Sequence, residues 1–508
     1  MNLIKSTTTY SFFVIISRVL GYIRDVLIAI YLGSGPIADA FFVAFRIPNT
    51  FRRLFSEGTF NSAFVPSYMS EQQKGKDNSK KFANNVFNFL VLGLLFLVFL
   101  VEIFMPVFVF LIAPGFSDSG EKLELTINLT RITFPFLIFV SLSSFFGAIL
   151  NSYNKFAAAS AAPIILNVFL ILTLLFANYL NDTLVFYLSY AVTAAGILQL
   201  IFLVFFTRKY YFPKFSFKIK LDKKLKFFFK KLLPSIFSSG VTQINILVGT
   251  IIASFQSGAV SYLYYAERVY QINLALAGIA VGTVSLPALS KSIKSKDYFK
   301  TFDIQNKSIQ LSLLLSIPAS LGLILASEEI VNGLFGYGSF TSADVEITSR
   351  ALSFFGYGVV AFALIKILSN FFFARDNTKV PFYISALIVL LNVLISLSFF
   401  NQIGFLIIPI ATSISTWIGV VIFLYILIRK NFINLKIELF KNILKILISS
   451  LIMSLMLVFS LEKFSSYLDY EYIYKSIYLL IIIGFVGIIY LLSCYLLGLL
   501  KIKSYKTN

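Results

Sequence analysis

Residues 17–66 read SRVLGYIRDVLIAIYLGSGPIADAFFVAFRIPNTFRRLFSEGTFNSAFVP and set Arg18, Arg24, Arg46, Arg52 and Arg53 among residues apolar enough for a bilayer. Each charge facing lipid would cost at least about 2.5–3.5 kcal/mol on insertion scales. Five arginines in such a stretch therefore need acidic partners, a polar cavity or the headgroup region.

The rest of the chain has the same character. Over 508 residues, 58% are hydrophobic and 13% charged, with a mean hydropathy of +0.86, well outside the range of soluble domains. A helix needs roughly 20 apolar residues to cross the hydrocarbon. On that measure the first half supplies segments 7–33, 35–68, 82–112, 125–150, 157–178 and 183–206. The second half supplies 233–254, 258–290, 308–327, 347–373, 380–401, 403–428, 443–461 and 473–500. These runs are too long and too continuously apolar for barrel strands. The predicted fold class is an all-α polytopic membrane protein with 14 transmembrane helices.

Lys5 before an apolar run has the look of a signal peptide, but Arg18, Arg24 and Asp25 interrupt that run and no small-residue cleavage site closes it. Residues 7–33 are therefore expected to be a retained first helix. Cys494 is the sole cysteine, which leaves no disulfide framework, and the absence of histidine excludes imidazole proton relays, histidine metal ligands and Ser-His catalysis.

The net charge of +20 raises the question of nucleic acid. With a cytoplasmic N-terminus, 31 of the 43 Lys and Arg fall in inside loops and only Lys122, Arg350, Lys463 and Lys475 in outside loops. That asymmetry is the positive-inside signature. It places both termini in the cytoplasm and accounts for the basic excess by topology, so no nucleic-acid partner is expected. Ten of the cations lie between Arg208 and Lys231, interleaved with aromatics. This loop reads as a basic connector suited to the anionic inner surface.

Ala44-Phe-Arg46 and Pro66 echo Ala266-Glu-Arg268 and Pro287 at offsets of 222 and 221 residues. The implied organisation is an N-terminal lobe of six helices over 1–206, a connector over 207–232, a second six-helix lobe over 233–430 and a two-helix hairpin over 431–508. Duplicated lobes around a central site are a recurrent transporter architecture.

Eight cations lie within segments, namely Arg18, Arg24, Arg46, Arg52, Arg53, Arg131, Arg268 and Lys366, against the five carboxylates of Asp25, Asp39, Glu57, Glu102 and Glu267. Arg18 and Asp25 share a helix face, as do Asp39, Arg46 and Arg53, while Arg53 and Glu57 are i, i+4 neighbours. Arg24 has no obvious local partner by spacing. Arg131 and Glu102, near helix ends, suit snorkelling. The excess of arginine, whose fork grips phosphate oxygens and stays charged when desolvated, points to an anionic ligand such as a phosphate or pyrophosphate. The cavity would be built mainly from segments 35–68, 7–33 and 258–290, with Arg268 on the wall opposite Arg24.

The segments SRVLGYIRD, DAFFVAFRIPNTFRRLFSEGTFNSAFVP, YYAERVYQ and LPALSK resemble the signature segments of the MurJ (MviN) family, lipid II flippases of the multidrug/oligosaccharidyl-lipid/polysaccharide exporter superfamily. The resemblance implies transport of the undecaprenyl-pyrophosphate-linked peptidoglycan precursor, lipid II, across the bacterial inner membrane by alternating access. It implies functional roles for Arg18, Arg24, Arg52 and Arg268, with Asp25, Asp39, Arg46, Arg53, Glu57 and Glu267 in support, and it makes Asn167 a polar cavity position. In this family the C-terminal hairpin lines a groove suited to the polyprenyl chain. Some relatives carry a sodium site with acidic ligands, but SSGVTQIN, LIVLLNVLISLS and PIATSIS here contain no carboxylate. No metal and no cofactor are expected. Membrane lipids are the other expected partners; a monomer suffices, with other cell-wall synthesis proteins as further candidates.

Competing functions are a flippase for another polyprenyl-pyrophosphate-linked oligosaccharide, an antiporter for cationic drugs and a membrane enzyme acting on polyprenyl pyrophosphate. A cationic drug would want acids in the cavity, and the enzyme would want a clustered acid pair or a nucleophile with its base. The arginine excess argues against the drug, the acids are scattered with no DxxD pair and histidine is absent, and no Walker-type phosphate loop is present. A cysteine introduced between 208 and 231 should react with an impermeant maleimide only from the cytoplasmic side, and labelling from outside would reverse the topology.

Overall fold

The chain is described by a computed structural model covering residues 3–56, 59–180, 183–217, 223–274, 278 and 281–500. Glu57, part of the connector and the basic tail 501–508 lie outside the described residues. Among the described residues there is no strand. A backbone without water must satisfy its own hydrogen bonds, and a helix does so within one segment.

Contacts divide the chain into two compact units, Met1–Ser261 and Tyr262–Asn508. The first begins with α1 (Leu3–Leu32), α2 (Pro36–Ser56), α3 (Thr59–Gln73), α4 (Lys76–Ile103), α5 (Met105–Ile112) and α6 (Gly120–Thr133). It continues through α7 (Phe136–Ser152), α8 (Phe156–Leu175), α9 (Ala177–Leu180), α10 (Leu184–Thr207) and α11 (Lys223–Ala253), ending in the first turn of α12 (Ala259–Leu274). The second unit contains the rest of α12, then α13 (Val281–Lys294), α14 (Tyr298–Leu325), α15 (Ser327–Phe335), α16 (Ser342–Gly356) and α17 (Val359–Phe373). It closes with α18 (Lys379–Ile403), α19 (Ile407–Arg429), α20 (Ile437–Lys463), α21 (Ser465–Leu468) and α22 (Lys475–Leu496).

Nine helical stretches among the described residues are long and apolar enough to cross a membrane, three of them the pairs α6–α7, α16–α17 and α18–α19. The chain is a multi-pass membrane protein. Several predicted segments resolve into two helices each: 35–68 into α2 and α3, 82–112 into α4 and α5, 125–150 into α6 and α7, 258–290 into α12 and α13, and 347–373 into α16 and α17. Between α6 and α7 the cause is visible in Phe134-Pro135, because proline lacks the N–H that would continue the ladder.

In the first unit α1 lies on α8, α10 on α7 and α8, and α3 on α4, α7 and α11. Phe60, Phe64 and Tyr68 follow one another at i, i+4 along α3, with ring centroids 5.2 and 5.5 Å apart. Phe145 of α7 meets Phe64 edge-on at 5.3 Å and Phe228 of α11 meets Phe60 at 5.8 Å. Such aromatic pairs contribute about 0.5–1.5 kcal/mol each beyond burial. The segment 233–254, which the repeat groups with the second half of the sequence, forms part of α11, and α11 packs on α2, α3, α4 and α5. Internal similarity tracks duplication, and packing need not follow it. In the second unit α14 packs on α13, α16, α17 and α20, and α22 packs on α20 and α15.

The offset of 222 residues recurs in hydrogen bonds. The Lys214 amide donates to Asn84 Oδ1 at 3.1 Å, and 222 residues on the Lys436 amide donates to Asn306 Oδ1 at 3.1 Å. Asn154 and Asp376, also 222 apart, take left-handed φ of 59° and 57°. In the first unit Tyr153 stacks on Tyr210 at 4.5 Å, and at the corresponding positions the Arg375 guanidinium lies 4.4 Å over Phe432. Only the shape of the contact repeats; its chemistry does not.

Removing Asn306 leaves the Lys436 N–H without its acceptor, and removing Asn84 also strands the buried Tyr211 hydroxyl, which donates to the same Oδ1 at 2.6 Å; such a loss is worth about 1–3 kcal/mol where buried. Asn84→Ala and Asn306→Ala should each lower the thermal midpoint of the detergent-purified protein. Unchanged midpoints would mean that water replaces the asparagine in both loops.

Candidate anion-binding site

Helix α1 brings two oppositely charged neighbours, Arg24 and Asp25, into an interior where they are 5% and 3% exposed. Arg24 donates from Nε and Nη2 to Asp25 Oδ1, at 3.0 and 2.6 Å, and from Nη1 to Asn167 Oδ1 on α8 at 2.9 Å. Asn167 Nδ2 in turn donates to the Ser17 carbonyl at 2.8 Å, so the amide bridges two turns of α1. The Arg24 guanidinium also lies 5.6 Å from the Phe45 ring.

This corrects the pairing by spacing. Arg24 does have a local partner, and the partner is Asp25, because a long arginine side chain folds back over the next residue where the pair is shielded from water. Arg18 is exposed and forms no ion pair among the described residues. Three of Arg24's five N–H groups are used in these bonds. Asn167 sits in this cluster; spacing within one helix carried no signal that it would.

Asp39 stands elsewhere, and is fully enclosed. Its Oδ2 accepts from Lys122 Nζ at 2.7 Å and from the Gly258 amide at 2.8 Å, while Oδ1 accepts from the Ser261 amide at 2.8 Å. Lys122 is 8% exposed and lies 3.8 Å over the Phe116 ring. Gly258 has φ 78°, a conformation that costs a side-chain-bearing residue about 1–2 kcal/mol. Arg46 is also buried and donates from Nη1 to Thr250 Oγ1 on α11. Asp39 and Arg46, expected on one face, thus have separate partners: Asp39 fastens α2 to α6 and to the start of α12, and Arg46 fastens α2 to α11. Both are inside packing and not on an open wall.

Two lysines that the sequence assigns to outside loops are buried. Besides Lys122, Lys475 donates to the Gly336 carbonyl at 2.6 Å and to the Tyr470 carbonyl, with its ammonium 4.3 Å from the Tyr337 ring. Neither is a free topological charge.

In the second unit Glu267 and Arg268 are half-buried on α12, and Arg268 Nη2 donates to Tyr264 Oη at 2.9 Å with its guanidinium 4.7 Å over that ring. Arg131 and Lys366 are exposed and Glu102 is half-buried. The side chains of Arg52 and Arg53, and Glu57 entirely, lie outside the described residues. Beyond the bilayer segments, Glu71 at the end of α3 accepts from Lys74 at 2.8 Å and Lys224 at 2.5 Å. Burial opposes its charge, but the two lysines outweigh it and hold the carboxyl below the usual range.

An all-helical multi-pass protein with buried, hydrogen-bonded arginine at the interface of its first helix has the make-up of a membrane transporter for an anionic substrate. The chain belongs to the MurJ family: the model described as "Lipid II flippase MurJ" matches residues 28–479. It is 37% identical over 502 residues to a protein named probable lipid II flippase MurJ from Rickettsia prowazekii (strain Madrid E), covering 97% of this chain and 98% of that one. It resembles a solved structure titled lipid II flippase MurJ, inward closed conformation, at a TM-score of 0.81 and 29% identity, over 96% of this chain and 98% of the other. A multidrug resistance MATE family transporter of the MOP superfamily shares the fold at a TM-score of 0.65 and 15% identity, over 81% of this chain and 94% of that one.

Breaking a buried ion pair from one side costs about 3–5 kcal/mol, because the other charge is left uncompensated. Lys122→Met should therefore destabilise the protein strongly in detergent melts. Pairing it with Asp39→Asn should recover a large part of the loss, and additive damage in the double variant would show that the two residues act independently.

Proposed function

We propose that this protein flips lipid II from the cytoplasmic to the periplasmic leaflet of the bacterial inner membrane by alternating access, with both termini cytoplasmic, and that it is a transporter and not an enzyme. The observation that carries this is the family match across nearly the whole chain, joined to a buried arginine cluster on α1 that retains unused donors.

In this mechanism the pyrophosphate is the group the protein must handle, since the polyprenyl tail can remain in lipid. Arg18, exposed, makes first contact. Arg24 follows, and Asp25 and Asn167 hold its guanidinium rigid so that little ordering cost remains on binding. Arg52 and Arg268 complete the cationic set, supported by Arg53, Glu57 and Glu267. Asp39 and Arg46 serve by keeping α2 in place. Fourteen membrane-spanning helices, two halves of six in the sequence and a C-terminal hairpin, carry this cycle.

A dianion moving outward down an inside-negative potential gains about 4.6 kcal/mol per 100 mV if it crosses the whole field. Charge compensation by the arginines reduces that gain and shifts voltage sensitivity to the return of the empty, cationic protein.

Arg24→Ala and Arg268→Ala should each abolish rescue of a strain depleted of its lipid II flippase while the protein still reaches the membrane at normal levels. Normal growth would remove these residues from the substrate site. Purified protein should be protected against heat more by lipid II than by undecaprenyl phosphate, and equal protection would point to a different lipid-linked substrate.

A further inference from the structure

Apart from the arginine cluster, the first unit holds a cavity of about 910 Å³ between α8 and α10, beside α1, within the range of about 300–1,000 Å³ typical of ligand sites. Its walls are apolar. Ala157, Ala158 and Ala161 keep one helix surface low, and Phe202, Phe205 and Phe206 form the facing wall. Phe205 and Phe206 are about half exposed, so the cavity opens toward the surroundings of the bundle instead of being sealed.

One end has a different character. Lys155 immediately precedes α8 and Arg208 and Lys209 immediately follow α10, so three cations converge where these two helices end together. All three are exposed and none forms an ion pair among the described residues; Arg208 only lies 4.1 Å over Phe205. No acidic residue lines the cavity. The first turn of α8 has no side-chain cap, and its free N–H groups add partial positive charge at this end. In the second unit the residue corresponding to Tyr153 is Arg375, whose guanidinium donates to the Phe371 and Phe432 carbonyls at 2.6 and 2.9 Å and is thereby consumed. Among the described residues no comparable bond ties down Lys155, Arg208 or Lys209.

We infer that this cavity is a site for an anionic glycerophospholipid, with an acyl chain between the alanines of α8 and the phenylalanines of α10 and the headgroup phosphate among Lys155, Arg208 and Lys209. An apolar slot open to the bilayer selects a lipid chain, and three unpaired cations at its headgroup end select a negative head over a zwitterionic one. The site is separate from the Arg24 cluster and requires only that the protein spans a membrane, so it stands whether or not lipid II is the transported substrate.

The test uses the full chain in detergent without lipid II, comparing phosphatidylglycerol with phosphatidylcholine of identical acyl chains, and glycerol phosphate as the headgroup alone. Phosphatidylglycerol should bind more tightly and raise the melting midpoint further than phosphatidylcholine, with no effect from glycerol phosphate. Each cation removed should weaken that preference roughly fivefold, so that K155Q/R208Q/K209Q abolishes it. A control carrying K291Q/K294Q/K300Q, an equal loss of charge elsewhere, should keep it. A161W, which fills the slot, should weaken both lipids. A preference that survives K155Q/R208Q/K209Q, falls equally in the control, or is matched by glycerol phosphate would overturn the site.

Discussion

A carboxylate without water must find its donors in the protein, and Asp39 is where this constraint acts hardest. Its oxygens are met by Lys122 and by the amides of Gly258 and Ser261, so a single side chain fixes the positions of α2, α6 and the start of α12. The desolvation penalty of two buried ions is repaid only when geometry is good and the remaining lone pairs are satisfied. Here the backbone supplies that satisfaction, and Gly258 in a left-handed conformation allows the chain to present its N–H.

The same rule organises the arginine cluster differently. Arg24 is held by Asp25 and Asn167 with part of its donor fork unused, whereas Asp39 has no exposed surface. Two acids near one another in sequence therefore do different work. One anchors helices, and the other orients an arginine. Composition alone could not separate them, because both are single carboxylates in apolar helices.

Much of the fold was legible from the chain. Long apolar runs mark helices because the bilayer demands a fixed length, and most predicted segments correspond to one helix or to a pair broken near a proline or glycine. The candidate site was legible in residue type and only partly in pairing. Helical periodicity joined Arg18 to Asp25, but a long side chain let Arg24 reach the same carboxylate from the adjacent position. Asp39's partners lie 83, 219 and 222 residues away, and no local pattern reports such contacts. The burial of Lys122 and Lys475 was illegible for a related reason: a lysine just inside a helix start reads as a loop charge until its neighbours are known. The 222-residue offset, seen first in Ala44-Phe-Arg46 and Ala266-Glu-Arg268, would also have paired Asn84 with Asn306 had it been carried along the whole chain.

The clamp on Asp39 has a consequence for biosynthesis. Lys122 emerges early enough to meet Asp39 as soon as α6 is made, but the two backbone donors arrive only when the ribosome has passed Ser261. Until then neither carboxylate oxygen has its amide, and Lys122 meets only one of them. Closure of the clamp is timed to the start of the second unit's synthesis, so a chain stopped in the connector would leave the membrane with an incomplete half rather than a finished one.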